Sequence, residues 1–210
     1  MSYAVKEIFK TLQGEGAQSG RAAVFCRFSG CNLWSGREQD RASSVCRFCD
    51  TDFVGIDGTG GGRFADAAAL VEAVEEAWGE GSVGRYIVLT GGEPLLQVDD
   101  ALVEALHERG FEIGVETNGT QAAPAGIDWI CVSPKADAVL RLKGGDEIKL
   151  VYPQATARPE QFEHLDFTHF FLQPMDAPEA ADNLAATIAY CTDNPRWRLS
   201  LQSHKMIGIR

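Results

Sequence analysis

The sequence predicts an α/β fold, an incomplete and open barrel of about six mainly parallel strands. Short apolar runs alternate with helical segments, which is typical of repeated βα units. Most of these runs end in polar or turn residues, as strands do at the binding edge of a parallel sheet. The chain has 210 residues, fewer than the roughly 250 of a full eight-fold barrel. We therefore expect one domain over residues 1–210.

The strands are predicted from short runs that are mostly apolar, such as YIVLT, DWICVSP and EIKLVY. Runs of this kind suit strands that are buried on both faces of a parallel sheet. The predicted strands lie near residues 4–10, 22–28, 85–89, 111–115, 127–132, 147–151, 168–172 and 197–201.

Three helices are predicted from apolar residues at helical spacing. The first runs from about Phe64 and ends at Gly79, and the second is closed by Gly110. The third begins near Pro178 and carries a stripe of Leu184, Ile188 and Cys191, which we expect to face the core. The glycine-rich patch at residues 58–62 lacks the Lys-Ser/Thr of a phosphate loop and predicts a flexible connector.

The composition excludes several classes of protein. The net charge of −11 argues against a general nucleic-acid or anionic-membrane binder, whose affinity depends on clustered positive charge. No apolar run reaches the ~18 residues of a membrane span, and the first residues do not resemble a signal peptide. We expect a cytoplasmic protein. In that compartment, the six cysteines predict metal ligands, catalytic groups or buried side chains more than disulfides.

Three cysteines stand in a C-x14-C-x2-C pattern: Cys31, Cys46 and Cys49. A C-x2-C pair places two thiolates on one side of a turn, and a third nearby suits an iron–sulfur cluster with one open iron. Adding Cys26 gives a four-cysteine zinc site as the alternative. Cys26, however, alternates with apolar residues and is expected in the core. Cys131 and Cys191 are expected to be buried and inert.

The cysteine pattern, Phe48 before the last cysteine, and the GGEP turn at residues 91–94 together resemble the radical S-adenosylmethionine (SAM) superfamily. The usual first cysteine gap there is three residues, so this chain has a widened cluster-binding loop at about residues 29–53. The elements TLQGEG, FCRFSGCN, CDT, LTGGEP, ETNGT, VSPK and a terminal HK-x-IG further resemble the 7-carboxy-7-deazaguanine synthase family.

The resemblance implies a lyase reaction of queuosine and deazapurine biosynthesis, a pathway that serves tRNA modification. A reduced [4Fe-4S] cluster cleaves SAM to a 5′-deoxyadenosyl radical, which takes hydrogen from C6 of 6-carboxy-5,6,7,8-tetrahydropterin. Ring contraction with loss of ammonia gives 7-carboxy-7-deazaguanine. The implied cofactors are the cluster, SAM and Mg²⁺, and no protein side chain is assigned as the catalytic group.

Site residues follow from the resemblance, position by position. Cys31, Cys46 and Cys49 would hold the cluster, and the Thr51 hydroxyl would bind Mg²⁺. The residues expected to contact SAM or the cluster are Arg47, Phe48, Asp50, Gly92, Glu93, Glu116, Ser133, Pro134, Lys135, Gln173, Pro174, Met175 and Asp176. Those expected to bind the pterin are Leu12, Gln13, Gly14, Glu15, Arg27, Thr90, Gly91, His204 and Arg210.

Among the substrate residues, the Arg27 guanidinium matches a carboxylate bidentately, with a buried ion pair as the alternative. The expected partners are the pterin, an electron donor such as flavodoxin or ferredoxin, and a second copy of the chain in a homodimer, with neither nucleic acid nor membrane. Two alternatives stay open: an enzyme of the glycyl-radical activating type, which acts on a protein, and a zinc-binding module.

Overall fold

The structure is a computed structural model and describes residues 2–210. One nine-stranded sheet organises these residues, in the order β3-β1-β2-β4-β5-β6-β7-β8-β9. The strands are β1 (Tyr3–Leu12), β2 (Ala22–Phe28), β3 (Gly62–Phe64), β4 (Tyr86–Gly91), β5 (Glu112–Thr117), β6 (Trp129–Val132), β7 (Gly144–Tyr152), β8 (Asp166–Pro174) and β9 (Arg198–Leu199). The helices are α1 (Ala67–Trp78), α2 (Asp100–Glu108), α3 (Ala180–Asp193) and α4 (Ser203–Ile207).

The sheet is mainly parallel and does not close on itself. Each neighbouring pair from β2 through β4 to β9 is parallel, whereas β1 is antiparallel to both β2 and β3. The strands β3 and β9 are its two edges. The prediction of an open, mainly parallel α/β fold is confirmed. The sheet is wider than the predicted six strands because β1, β3 and the two-residue β9 extend it, with β1 as the one strand that runs opposite to the others within residues 2–210.

The prediction of a flexible connector at residues 58–62 is wrong. Gly62 begins β3, and the glycines before it pack against the backbone of β1. The Gly58 amide donates to the Lys6 carbonyl at 2.9 Å. A Cβ on Gly61 would lie 2.2 Å from that same Lys6 oxygen. Glycine is therefore required here for close backbone approach and not for mobility.

Helices α1 and α2 begin at aspartate caps. The Asp66 carboxylate accepts from the Ala69 amide at 3.0 Å, so α1 begins after Asp66 and not at the predicted Phe64, which lies in β3. The Asp99 carboxylate caps α2 through the Leu102 amide at 3.0 Å. These side chains satisfy amides that a helix leaves without partners at its N-terminus.

Two apolar clusters form the core. The first joins β1, β2, β4 and β5 to α1 and α2, and contains Cys26 at 0% exposure. The second lies around β7 and β8 and includes Trp197. None of the helices within residues 2–210 has both the length and the apolar character that a bilayer crossing requires.

Helix α3 departs from the predicted apolar stripe. Its fully buried residue is Thr187, whose hydroxyl donates to the Asn183 carbonyl at 2.6 Å. Ile188 is 46% exposed, and Cys191 is only partly buried. The helix lies at the end of the sheet against β8 and β9, and it packs on the second core cluster through Tyr190 and Cys191 instead.

Candidate active site

A cavity of about 420 Å³ lies at the carboxyl ends of the parallel strands. A volume of this size suits a small-molecule site. Strand ends, the loop after β1, the turn after Cys46 and the C-terminal segment all contribute to its wall. The polar residues that follow successive strands therefore meet at one edge of the sheet, as the sequence pattern indicates.

Most of the predicted site residues line this cavity. They are Leu12, Gln13, Gly14, Glu15, Arg27, Cys46, Phe48, Cys49, Asp50, Thr51, Thr90, Gly91, Gly92, Glu116, Ser133, Lys135, Gln173, Pro174, Met175, Asp176, His204 and Arg210.

Four predicted residues lie outside the wall of the cavity. Cys31 borders Gly92, and Glu93 is completely buried behind the turn. Arg47 is exposed, with its guanidinium on the Ser44 carbonyl at 3.2 Å. Pro134 lines a smaller neighbouring cavity of about 200 Å³.

The widened loop folds back so that the cysteines approach one another. The amides of Val45 and Cys46 both donate to the Leu33 carbonyl, at 3.1 and 3.2 Å, which returns the chain to a point two residues after Cys31. Trp34 is buried and meets Phe53 edge to face, with ring centroids 5.6 Å apart. The segment between Cys31 and Cys46 therefore folds back and brings the chain near Cys46 next to the chain near Cys31.

Arg41, in the short 3₁₀ helix Glu38–Ser43, supports the C-x2-C turn. Its guanidinium donates to the carbonyls of Arg47 and Cys49 at 3.0 and 3.1 Å. The same group lies 4.1 Å from the centre of the Trp34 ring, a cation–π distance. The loop insertion thus fixes the backbone of the turn that carries two thiols.

The thiols of the turn interact directly. The mutual interaction of Cys46 and Cys49 lowers the pKa of Cys49 to about 6 and raises the pKa of Cys46. The Lys135 ammonium lowers the pKa of both groups. Burial raises the pKa of Cys31. A lowered thiol pKa favours the thiolate that binds a thiophilic metal.

The donor set fits an iron–sulfur cluster better than a zinc ion. Structural zinc needs four ligands around one ion, whereas a [4Fe-4S] cluster is held by separate thiolates. Cys26 lies in the apolar core, where burial raises its pKa, so it is not available as a fourth ligand.

The turn after β4 packs directly on the loop that leads to Cys31. The Glu93 amide donates to the Gly30 carbonyl at 2.9 Å. A Cβ on Gly92 would lie 2.1 Å from that carbonyl oxygen and 2.9 Å from the Cβ of Cys31. The glycine therefore allows the GGEP turn and the first cysteine to lie side by side.

The Glu93 carboxylate stabilises the GGEP turn through hydrogen bonds on its buried side. It accepts from the Thr117 hydroxyl at 2.7 Å and from the amides of Asn118 and Leu95 at 2.8 and 3.0 Å. Burial raises its pKa, and these donors oppose the increase. The Asn118 amide group in turn donates to the Asn32 side chain at 3.1 Å, beside Cys31. The motifs GGEP and ETNGT thus form one hydrogen-bonded support for the cluster loop.

Arg27 faces the cavity from β2. Residues on either side of it, Cys26 and Phe28, are fully buried in the core. Its guanidinium Nε donates to Glu7 on β1 at 2.8 Å, and Arg210 forms an ion pair with the other oxygen of Glu7. Arg27 therefore agrees with both predictions made from the sequence: it forms an ion pair with Glu7, and it lines the cavity where a substrate carboxylate could bind.

The C-terminal segment forms part of the wall of the cavity. The Ser203 amide donates to the Gly14 carbonyl at 3.0 Å, and a Cβ on Gly14 would collide with the His204 ring. The Lys205 ammonium pairs with Asp50 at 2.7 Å and with Asp176 at 2.5 Å. This segment joins the substrate loop, the cluster turn and the end of β8.

Several residues of the cavity wall were absent from the sequence prediction, among them Glu7, Asn118, Lys149, Gln202 and Lys205. Asn118 and Lys205 lie inside motifs that the sequence analysis singled out, so motif membership could have found them. Glu7 and Lys149 lie within strands, where only the sheet register tells which face a side chain occupies.

Comparisons with known proteins agree with this geometry. The family model described as the radical SAM superfamily matches residues 40–148. The chain is 65% identical to the 7-carboxy-7-deazaguanine synthase of Bordetella pertussis and 67% identical to that of Bradyrhizobium diazoefficiens, with 100% of each chain covered in both cases. The crystal structure of QueE from Escherichia coli superposes with a TM-score of 0.74 at 27% identity and covers 96% of this chain and 94% of that one. The chain belongs to the 7-carboxy-7-deazaguanine synthase family of radical SAM enzymes.

Proposed function

We propose that the chain converts 6-carboxy-5,6,7,8-tetrahydropterin to 7-carboxy-7-deazaguanine with loss of ammonia. The observation that carries this proposal is that one cavity holds both the thiols of the C-x2-C turn and the Arg27 guanidinium. A carboxylate held at Arg27 is then enclosed with the cluster turn in about 420 Å³. Family membership supplies the substrate class.

The cofactor side of the cavity is built from the thiols of Cys46 and Cys49 and the strand ends, with Cys31 next to Gly92. When bound, the [4Fe-4S] cluster and SAM supply radical chemistry at C6 of the substrate. The Gly92 turn offers backbone carbonyls to the SAM ammonium, and Ser133 and Lys135 offer polar groups to its ribose or carboxylate. The Lys135 ammonium is held by the Ser133 hydroxyl at 2.7 Å, which fixes its position.

The substrate side supplies a cation and hydrogen-bonding groups. Arg27 binds the pterin carboxylate, and its pairing with Glu7 restricts the guanidinium to one orientation. Gln13 is buried. Its side-chain amide donates to Glu116 at 3.1 Å and its side-chain carbonyl accepts from the Glu15 amide at 3.2 Å, which fixes the loop that binds the pterin edge. His204 and Arg210 close the same side.

The C-terminal segment also contributes to the wall of the cavity. Its contacts with Gly14, Asp50 and Asp176 lie beside a cavity of about 420 Å³, a size that suits a small molecule. This observation favours a pterin over a protein substrate of the glycyl-radical activating type.

Several finer assignments remain proposals. Thr51 lines the cavity beside the cluster turn, which supports a role for its hydroxyl in binding Mg²⁺ next to substrate oxygens. A one-electron donor such as flavodoxin or ferredoxin, a homodimer and a cytoplasmic location remain predictions, as does the product's place in tRNA modification. The single-domain assignment over residues 1–210 also remains a prediction.

A turnover assay tests the proposed function. The chain is reconstituted anaerobically with iron and sulfide, reduced with dithionite, and supplied with SAM and 6-carboxy-5,6,7,8-tetrahydropterin. We expect 7-carboxy-7-deazaguanine and ammonia to form, with and without added Mg²⁺ measured separately. No product from a protein that carries its full iron content would contradict the proposal.

A further inference from the structure

Lys149 is a buried cation that the proposed mechanism does not use. It lies on β7 between Ile148 and Leu150, which face the apolar core, while its own side chain faces the cavity. The side chain is only 4% exposed. A lysine this deeply buried costs free energy unless it is paired, so its partners define its role.

The Lys149 ammonium joins two carboxylates of the cavity. It lies 2.7 Å from a Glu15 oxygen and 2.8 Å from a Glu116 oxygen. The second oxygen of Glu116 accepts from Gln13 at 3.1 Å, and that of Glu15 accepts from Gln202 at 3.2 Å. Lys149 therefore links the substrate loop, the end of β5 and the C-terminal segment through one ammonium group.

The positive charge of Lys149 balances the negative charges of Glu15 and Glu116. Burial opposes ionisation of Glu15, yet the Lys149 ammonium overcomes that effect and lowers its pKa. Burial would likewise lower the pKa of Lys149, but the surrounding negative groups, Glu116 and Glu15 among them, raise it well above its ordinary value. Without the ammonium, two buried carboxylates would face each other and repel.

Other titratable groups face the same cluster. The Glu147 carboxyl and the Cys131 thiol lie next to it on β7 and β6, 3.4 Å from each other, and burial raises the pKa of both. His204 faces Glu15 from the C-terminal segment. None of the positive groups in the cavity other than Lys149 forms an ion pair with Glu15 or Glu116 among residues 2–210.

We propose that Lys149 is a positioning residue for the pterin: it holds Glu15 and Glu116 side by side so that Gln13 and the loop at residues 12–15 present a fixed hydrogen-bonding edge. This inference rests on the proposed function. Lys149 acts through the two carboxylates and does not itself contact the reacting atoms.

The test measures pterin binding to the reconstituted holoenzyme without reductant, so that no turnover occurs. Lys149→Met is compared with wild type and with Lys143→Met, a control at an exposed lysine just before β7. We expect about tenfold or more weaker binding for Lys149→Met, as when a buried ion pair loses one partner, with iron content unchanged. Lys149→Arg, which keeps the charge, should recover part of the affinity.

The pH profile separates positioning from mere packing. In Lys149→Met, one of the two carboxylates must take up a proton to relieve repulsion, so its pKa rises and binding should weaken as the pH increases. The double variant Lys149→Met/Glu15→Gln removes one of the repelling charges, so its binding should stay weak but lose that pH dependence.

Two results would overturn the inference. One is Lys149→Met binding the pterin as wild type does at every pH. The other, which applies also if Lys149→Met does not fold, is wild-type affinity in the folded double variant. Failure of the wild type to bind or convert the pterin would instead contradict the proposed function, so the two failures are distinguishable.

Discussion

The Glu93 carboxylate gives the sharpest prediction about stability. Its side chain is 0% exposed and accepts three hydrogen bonds, at 2.7, 2.8 and 3.0 Å. Hydrogen bonds to a charged group contribute about 1.5–3 kcal/mol each, and the cost of burying the charge offsets part of that sum. Glu93→Ala leaves three donors unsatisfied, so we expect the free energy of unfolding to fall by about 3–5 kcal/mol.

Anaerobic urea denaturation, followed by tryptophan fluorescence, measures this loss. Glu93→Gln keeps one acceptor oxygen but turns an NH₂ group toward a backbone donor, so it should lose about 1–3 kcal/mol. Glu76→Ala, at an exposed position of α1, is the matched control and should stay within about 0.5 kcal/mol of wild type. An unchanged urea midpoint for Glu93→Ala would refute the view that this carboxylate holds the GGEP turn.

Three further changes test other parts of the site. Arg41→Ala removes the guanidinium that supports the C-x2-C turn, and iron should be released several-fold faster to a chelator, as ferrozine absorbance reports. Lys205→Ala breaks the ion pairs with Asp50 and Asp176, each worth about 0.2–1 kcal/mol at such exposed positions. Because both aspartates are among the residues expected to contact SAM or the cluster, SAM should bind a few-fold more weakly in equilibrium dialysis. Burial raises the pKa of Glu147, so the folded chain binds the proton of this carboxyl more tightly than the unfolded chain does. The contribution of Glu147 to the free energy of unfolding therefore falls as the pH rises above about 4.3 toward the folded-state pKa. Glu147→Gln should therefore gain stability relative to wild type across that window, and a constant difference in urea midpoint at every pH would contradict this reasoning.

The alternation of apolar runs and helices was sufficient to predict the open α/β fold, because both periodicities are local. The polar residues after each run predicted where the cavity lies, since parallel strands end at one edge. Gly92 and Glu116 follow this rule, and both line the cavity. The motif resemblance supplied the cofactors, which no spacing argument alone provides.

Elements that depend on a distant partner could not be predicted. The three-residue β3 exists because β1 pairs with it, and the glycines before it are explained by the nearby Lys6 and Ile8 carbonyls of that strand. Lys149 stands in the run EIKLVY, where a single lysine is as compatible with an exposed edge as with a buried ion pair. Only the register of β7 and the position of Glu15 and Glu116 decide between these possibilities.

The central claim is that Cys31, Cys46 and Cys49 hold a [4Fe-4S] cluster whose open iron accepts SAM. Electron paramagnetic resonance of the anaerobically reconstituted, dithionite-reduced chain tests it most directly. We predict a reduced-cluster signal with about four iron atoms per chain, a change in that signal on addition of SAM, and retention of the signal in Cys26→Ala but not in Cys49→Ala. A chain that binds zinc in place of iron, or a signal that SAM leaves unchanged, would contradict the claim.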